Sequence, residues 1–360
     1  MLLLIPFHTA RIFDPFDPFY VKNAERSTAL GYGVIKVLHP WHMPLLFLLA
    51  GAATWFALGF RSGGQYVRER FIRLLVPFVF GLAVIVPPQV YCAALAQEAA
   101  PKSFVQFYPR FFIVDPEDLT GYFGTFTPGH LWFILFLFVF SLAALPLFFW
   151  LRSSAGGKFT GRLASLCGKP GAIFLFAVPL AAAGLLPSLG GENAFWHLAL
   201  FIFGCILAAD ARFQQAIDRH KTAALVLGMI TMGATLALSA LKIDFLRSAP
   251  GELAVGFLQN CNTWFWLVAL LGFGHRWLNK SNRLLRYASE AAYPFYLLHQ
   301  TAIVAIGFYV VRWDAAVATK FIAISAAATV ATVAVYDLAV RRTNLTRFLF
   351  GMKPLRPRRS

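Results

Sequence analysis

Eight histidines are the only side chains of this sequence whose unperturbed titration falls near neutral pH, and several stand inside or beside long apolar runs. His8 lies between Pro6, Phe7 and Thr9, about one and a half turns before the first acidic loop, where an imidazole can take a proton from a hydroxyl. A histidine that only donates to a neighbouring carbonyl is the simpler account of it. His39-Pro40-Trp41-His42-Met43-Pro44 carries two histidines three apart. That spacing could share a metal, but no third ligand accompanies it and Pro40 is expected to break the helix between them, so no metal site is expected. Trp41 and His42 suit a polar vestibule better. His130, in Pro128-Gly129-His130-Leu131-Trp132, opens another apolar run and faces the same vestibule in this reading. His299 ends Tyr293-Pro294-Phe295-Tyr296-Leu297-Leu298, deep in a further run, where an unpaired ring needs a partner. Glu290 is not that partner, because nine residues at roughly 100° each put the two on opposite helix faces. Arg68, Arg70 and Arg73 form a basic cluster at one end of a span. Such clusters anchor topology, and guanidinium forks also bind phosphate in a bidentate manner.

The elements that must hold these groups follow from composition. The chain has 360 residues, 59% hydrophobic, 16% aromatic and 13% charged. A soluble globular domain carries about 25% charge, so an ordinary cytosolic protein is excluded. A spanning helix needs roughly 20 apolar residues to cross about 30 Å of hydrocarbon. Nine segments qualify, at approximately 42–60, 71–95, 130–151, 171–189, 194–211, 221–241, 252–275, 288–311 and 317–339. Pro77 and the pair Pro87-Pro88 fall inside the second, where lost backbone donors predict a kink or break.

The net charge of +16 admits a nucleic acid, an anionic membrane face or an anionic ligand. Position decides among them. Of 32 Lys and Arg, 22 fall on alternate loops, at 61–73, 152–169, 212–221, 276–286 and 341–359. The other set, which includes Arg11, Lys22, Lys102, Lys242, Arg247 and Lys320, is matched by eleven acidic residues. The basic set is therefore expected to be cytoplasmic, with the C-terminus inside and the basic end, Arg356, Arg358 and Arg359 included, solvated against anionic lipid. The excess charge records orientation on a lipid bilayer, and no nucleic-acid partner is expected.

Residues 14–41 and 96–129 then lie outside, leaving only residues 1–13 for the helix that leads there. Thirteen residues reach roughly 20 Å, about two thirds of the membrane. A signal peptide is the competing account, but no basic region precedes Leu2 and no small-residue cleavage site follows. The expectation is a sequence that starts inside its first transmembrane helix, about ten residues short. Cys92, Cys167, Cys205 and Cys261 show no paired spacing, so neither a disulfide framework nor a thiolate metal site is indicated. The fold expected is an all-α, polytopic transmembrane bundle of about ten helices over 1–345, the first one truncated, with a basic cytoplasmic tail at 346–360.

Five strings in order, LLLIPFHTARIF around His8, WHMPLLFLLAG at 41–51, RERFIRLLVPF at 68–78, GHLWFILFL at 129–137 and SEAAYPFYLLHQ at 289–300, resemble the acyltransferase 3 family of multi-pass bacterial inner-membrane proteins. The resemblance covers most of the chain and is nearest the branch of periplasmic-glucan succinyltransferases. It implies ten core helices and transfer of an acyl group from cytoplasmic acyl-CoA, a co-substrate and not a bound cofactor, to a hydroxyl of an extracytoplasmic carbohydrate or glycolipid acceptor. The family hallmark is an Arg or Lys eleven positions before a histidine of the first helix. His8 matches the histidine, and the basic partner would fall before Met1. The family's Trp-Ser-Leu string ending in Glu-Glu is replaced here by His130-Leu131-Trp132-Phe133-Ile134, so no catalytic glutamate carries over.

On this resemblance His8 is the catalytic base, Arg68, Arg70 and Arg73 hold the donor's phosphates, and Trp41, His42, His130 and Trp132, with Tyr122, face the acceptor. The competing class is an exporter of an anionic small molecule, which ten helices, a basic mouth and a Pro-kinked helix would also suit. Against it stand the lack of an inverted internal repeat and of a symmetric pair of broken helices. A non-catalytic membrane scaffold is the third class, and it has no need of His8.

Overall fold

The computed structural model describes residues 1–98, 103–115, 118, 120–188, 191–241, 248–278 and 280–355. Lys102, Lys242, Arg247, Arg356, Arg358 and Arg359, and with them the end of the expected 346–360 tail, lie outside the described residues. The described residues are helices and connecting turns throughout. In chain order the elements used below are α1 (Leu4–Phe13), α2 (Thr28–Ala57), α3 (Gly63–Ala96), α4 (Phe104–Phe111), α5 (Gly129–Ala143), α6 (Leu145–Arg152), α7 (Ser154–Cys167), α8 (Ala172–Gly184), α9 (Ala194–Ala209), α10 (Ala211–Ala240), α11 (Ala249–Trp277), α12 (Arg283–Val310), α13 (Val317–Val340) and α14 (Asn344–Leu349).

Six helices, α2, α3, α10, α11, α12 and α13, are each long and apolar enough to cross a bilayer. The pair α5 and α6, bent by 51° just before Pro146, is together long and apolar enough to make a seventh. Proline cannot supply the backbone donor that would continue the ladder, which places the bend there. Two further apolar helices, α8 and α9, are shorter. The protein is thus a polytopic helical membrane bundle, and each of the nine expected spans overlaps one of these helices.

The helices pass unbroken through their prolines at both places, against the expected break at Pro40, and for one reason. Pro40 does not break a helix: α2 runs through Pro40 and Pro44 and begins at Thr28, well inside the segment read as an extramembrane loop. Nor is α3 interrupted at Pro77 or Pro87. In each case a run of π-helical turns, Gly31–Lys36, Phe71–Leu75 or Gly81–Ile85, precedes the proline. A π turn bonds each carbonyl one residue further along the chain and is wider than an α turn, so the ring is admitted and the missing donor absorbed.

Contacts divide the chain into two compact units. The first comprises Met1–Ile35, Arg68–Phe138 and Ser281–Ser360. Here α1 packs on α12 and α13, and α12 on the later part of α3. Ile12 and Phe13 are fully buried, and Gly307 on α12 admits Ile12, whose Cδ1 would stand 2.7 Å from an added Cβ.

The second unit comprises Lys36–Val67 and Val139–Lys280. Its α2 and α9 approach closely because both carry glycine at the crossing. An added Cβ at Gly51 would lie 1.8 Å from Phe201 O, and one at Gly204 the same distance from Leu48 O. Lipid tails are as apolar as leucine, so such seams are held by contact dispersion rather than by exclusion from water. The α10 and α11 pair is joined by Asn262, whose Nδ2 donates to Gly228 O at 2.8 Å and to Thr231 Oγ1 at 2.9 Å.

Candidate active site

The site is built from the first unit, beginning with α1. Its carbonyl end would be an orphaned acceptor cluster without a donor. Lys22 supplies one: its Nζ donates to Arg11 O at 2.8 Å, Asp14 O at 2.6 Å and Asp17 O at 3.0 Å, and pairs with Asp14 Oδ2 at 3.3 Å. Burial lowers the Lys22 ammonium from its ordinary value, and the Asp14 charge opposes that shift. Asp14 Oδ1 in turn accepts from the backbone N–H groups of Phe16 and Asp17, closing the chain around the helix end. Asn23 N donates to Ile12 O at 2.9 Å, and Lys320 Nζ on α13 donates to Asn23 Oδ1 at 3.1 Å. The rotation and height of α1 are therefore fixed from its Asp14 end, and with them the position of His8.

Two other imidazoles meet His8 and one another. The His299 ring centre is 5.1 Å from that of His8, and the His130 ring centre is 5.2 Å from that of His299, edge to face at 84°. His299 is fully buried and His130 nearly so, whereas His8 is half-buried. Each buried ring is held by a backbone carbonyl. His299 Nδ1 lies 2.7 Å from Tyr296 O, and His130 Nε2 lies 3.0 Å from Leu297 O. A carbonyl only accepts, so both of those nitrogens carry the proton, and the opposite nitrogens are lone pairs. Those lone pairs, His299 Nε2 and His130 Nδ1, have no hydrogen-bond partner among the described residues. The Tyr296 hydroxyl donates to His130 O, which locks the start of α5 to α12.

The surroundings are polar on one side and aromatic on the other. Gln89 on α3 is fully buried, and Thr301 Oγ1 donates to Ile85 O at 2.8 Å and to Gln89 Oε1 at 3.3 Å. Gly129 has φ +52°, and a Cβ there would stand 2.6 Å from Gln89 Nε2, so only glycine lets α5 begin at this point. Phe19 stacks on His8 at 6.2 Å, and Tyr122 packs against Phe19 at 6.0 Å and Tyr20 at 4.9 Å. The Tyr20 hydroxyl donates to Thr120 O, and burial holds this phenol well above its ordinary range, with Tyr122 adding to the shift.

The remaining expected residues divide. Arg70 and Arg73 are half-buried, three residues apart and so on neighbouring faces of α3, while Arg68 is exposed. The Arg70 charge acts on the Tyr293 hydroxyl, which is buried without a hydrogen-bond partner among the described residues. Arg73 O and Tyr293 both lie against Gly351, in the turn after α14. Trp132 packs on Phe136 at 5.3 Å in the first unit. Trp41 and His42 belong to the second unit, where Trp41 lies 6.5 Å from Trp266 and His42 Nδ1 bonds Leu38 O at 2.9 Å. All four cysteines are free, and no group of three or more His, Cys, Asp or Glu among the described residues is arranged to hold a metal. The sequence had marked His299 only as a ring in need of a partner, and Gln89, Tyr296 and Tyr293 not at all.

A family model described as an acyltransferase domain, that of acyltransferase 3, matches residues 1–341. Glucans biosynthesis protein C of Escherichia coli strain 536 / UPEC is 22% identical over 374 residues, spanning 99% of this chain and 92% of that protein. The protein of the same name from Escherichia coli strain ED1a is similar to the same degree, 22% over 374 residues with the same coverage. No solved structure matches.

Proposed function

Because the chain belongs to the acyltransferase 3 family and is a multi-span membrane acyltransferase, we propose that it moves an acetyl- or succinyl-class group from cytoplasmic acyl-CoA to a hydroxyl of an extracytoplasmic glycan or glycolipid. The observation that carries this reading is the meeting of three imidazoles inside a membrane bundle, with His8 the only one of them partly open. A membrane interior that needed no proton transfer would be cheaper without them. In the reaction His8 removes the proton of the acceptor hydroxyl as its oxygen attacks the thioester carbonyl. A carbon–oxygen bond forms and the carbon–sulfur bond breaks. The proton passes from His8 to the departing thiolate, leaving CoA–SH, the acyl ester and a neutral imidazole.

The donor's phosphates are assigned to Arg70 and Arg73, with Arg68 drawing the anion in from the surface. The half-burial of the first two and the nearby Tyr293 hydroxyl support that assignment. On the acceptor side Trp132, His130 and Tyr122 come from the first unit. Trp41 and His42 are assigned by residue type alone, since aromatic faces suit sugar rings. The names of the relatives support a glucan-like acceptor. The uneven distribution of Lys and Arg supports a cytoplasmic C-terminus in a bacterial inner membrane.

Inverted vesicles supplied with labelled acetyl-CoA or succinyl-CoA test the reading. Acyl label on a glycan or lipid is the expected result. Movement of an intact solute with no acylated product would instead identify an exporter.

A further inference from the structure

The two buried imidazoles face a chemical requirement that His8 cannot meet alone. A neutral imidazole acts as a base only through the nitrogen that lacks a proton, so its tautomer must be set by whatever accepts from the other nitrogen. Carboxylates are the usual acceptors for this purpose. The ring contacts of His8 include Phe7, Phe19 and His299, and of these three His299 offers a lone pair. Its Nδ1–H is committed to Tyr296 O, which forces the lone pair onto Nε2. That atom is fully buried and has no hydrogen-bond partner among the described residues. An orphaned buried acceptor costs stability, so a partner arriving in the working state would recover that cost.

We propose that His299 is a positioning residue for acyl transfer, its Nε2 accepting the N–H of His8 so that the other nitrogen of His8 faces the acceptor hydroxyl. The ring centres at 5.1 Å leave facing edges within reach of an N–H···N bond after a small rotation of His8, and such bonds commonly tighten only when substrate is in place. His299 stays neutral throughout. The hydroxyl proton goes to the unprotonated nitrogen of His8, the imidazolium keeps its other N–H on His299, and the proton taken from the hydroxyl leaves with the thiolate. His130 supports the arrangement mechanically. Its Nε2–H is bound to Leu297 O, its carbonyl accepts from Tyr296, and its ring is set edge-on against His299, so the segment presenting His299 is clamped from both sides.

The inference rests on His8 being the base, and the test separates the two claims. His299→Asn keeps a donor near the Nδ1 position for Tyr296 O but offers nothing at Nε2. His299→Gln reaches the Nε2 position with an amide oxygen that accepts. Full-length variants in inverted vesicles, assayed with labelled acetyl-CoA and succinyl-CoA beside His8→Ala, should show Asn about 100-fold down in turnover with the donor KM unchanged. Gln should stay within about tenfold of the parent. A residue needed only for packing or for the Tyr296 bond would be served by Asn at least as well as by Gln, and that result overturns the proposal. Loss of activity in His8→Ala with Asn and Gln equal would overturn the positioning role and leave the base in place. Full activity in His8→Ala would remove the base itself.

Discussion

In the second unit the Asn262 amide gives its protons to Gly228 O and Thr231, Trp264 Nε1 donates to Ile173 O at 2.8 Å, and Thr54 meets the Tyr66 hydroxyl at 3.1 Å. In the first unit His299 and His130 each spend one nitrogen on a carbonyl and keep the other buried without a partner among the described residues. Both regions lie among apolar helices, so solvent does not explain the difference. Satisfied polar groups join helices and then have nothing left to offer. Lone pairs held back at a known orientation cost stability and are available to a reacting group. For these named groups, though Trp266 Nε1 of the second unit is also buried without a hydrogen-bond partner among the described residues, the contrast separates polar groups used as glue from polar groups kept for chemistry.

Four changes would break or sharpen that contrast. His8→Ala should have the largest effect, lowering acyl transfer about 10³-fold in the labelled-donor assay while the melting temperature in detergent stays near the parent's. Gly204→Val does the reverse. Its Cβ would meet Leu48 O, so the α2 and α9 seam must open, at about 3 kcal/mol read from thermal unfolding, with turnover per folded molecule retained. Arg73→Ala should raise the donor KM about tenfold with little change in kcat, as expected when one charge-assisted contact to phosphate is lost. Asn262→Leu should be the mildest, about 0.6 kcal/mol, because hydrogen bonds between membrane helices are individually weak. A large loss of activity in Asn262→Leu would erase the distinction between the two regions.

Much of the bundle was legible because hydropathy reports where backbone can be buried in lipid. All nine expected spans coincide with helices for that reason. The start of α2 at Thr28 and the passage of α2 and α3 through their prolines were not legible, since both depend on hydrogen-bond register in π-helical turns. At the site, His8 and His130 stood out as titratable groups beside apolar runs, and Arg70 and Arg73 as a cluster. That His299 meets His8 depends on how α12 is rotated about its axis against α1, which packing at Gly307 and Ile12 decides and no local pattern records. Trp41 and His42 read as companions of His130 from their residue types, and contacts group them with the second unit.

The tether at the Asp14 end of α1 makes that helix a phase-locked element. Each residue added to or removed from the five between His8 and Asp14 would turn the histidine by about 100° and shift it by about 1.5 Å while Lys22 and Lys320 hold the far end in place. A single deletion there would point the imidazole away from His299 without altering any side chain of the cluster. The spacing from His8 to the tether is therefore under stricter constraint than the identities of the residues that fill it.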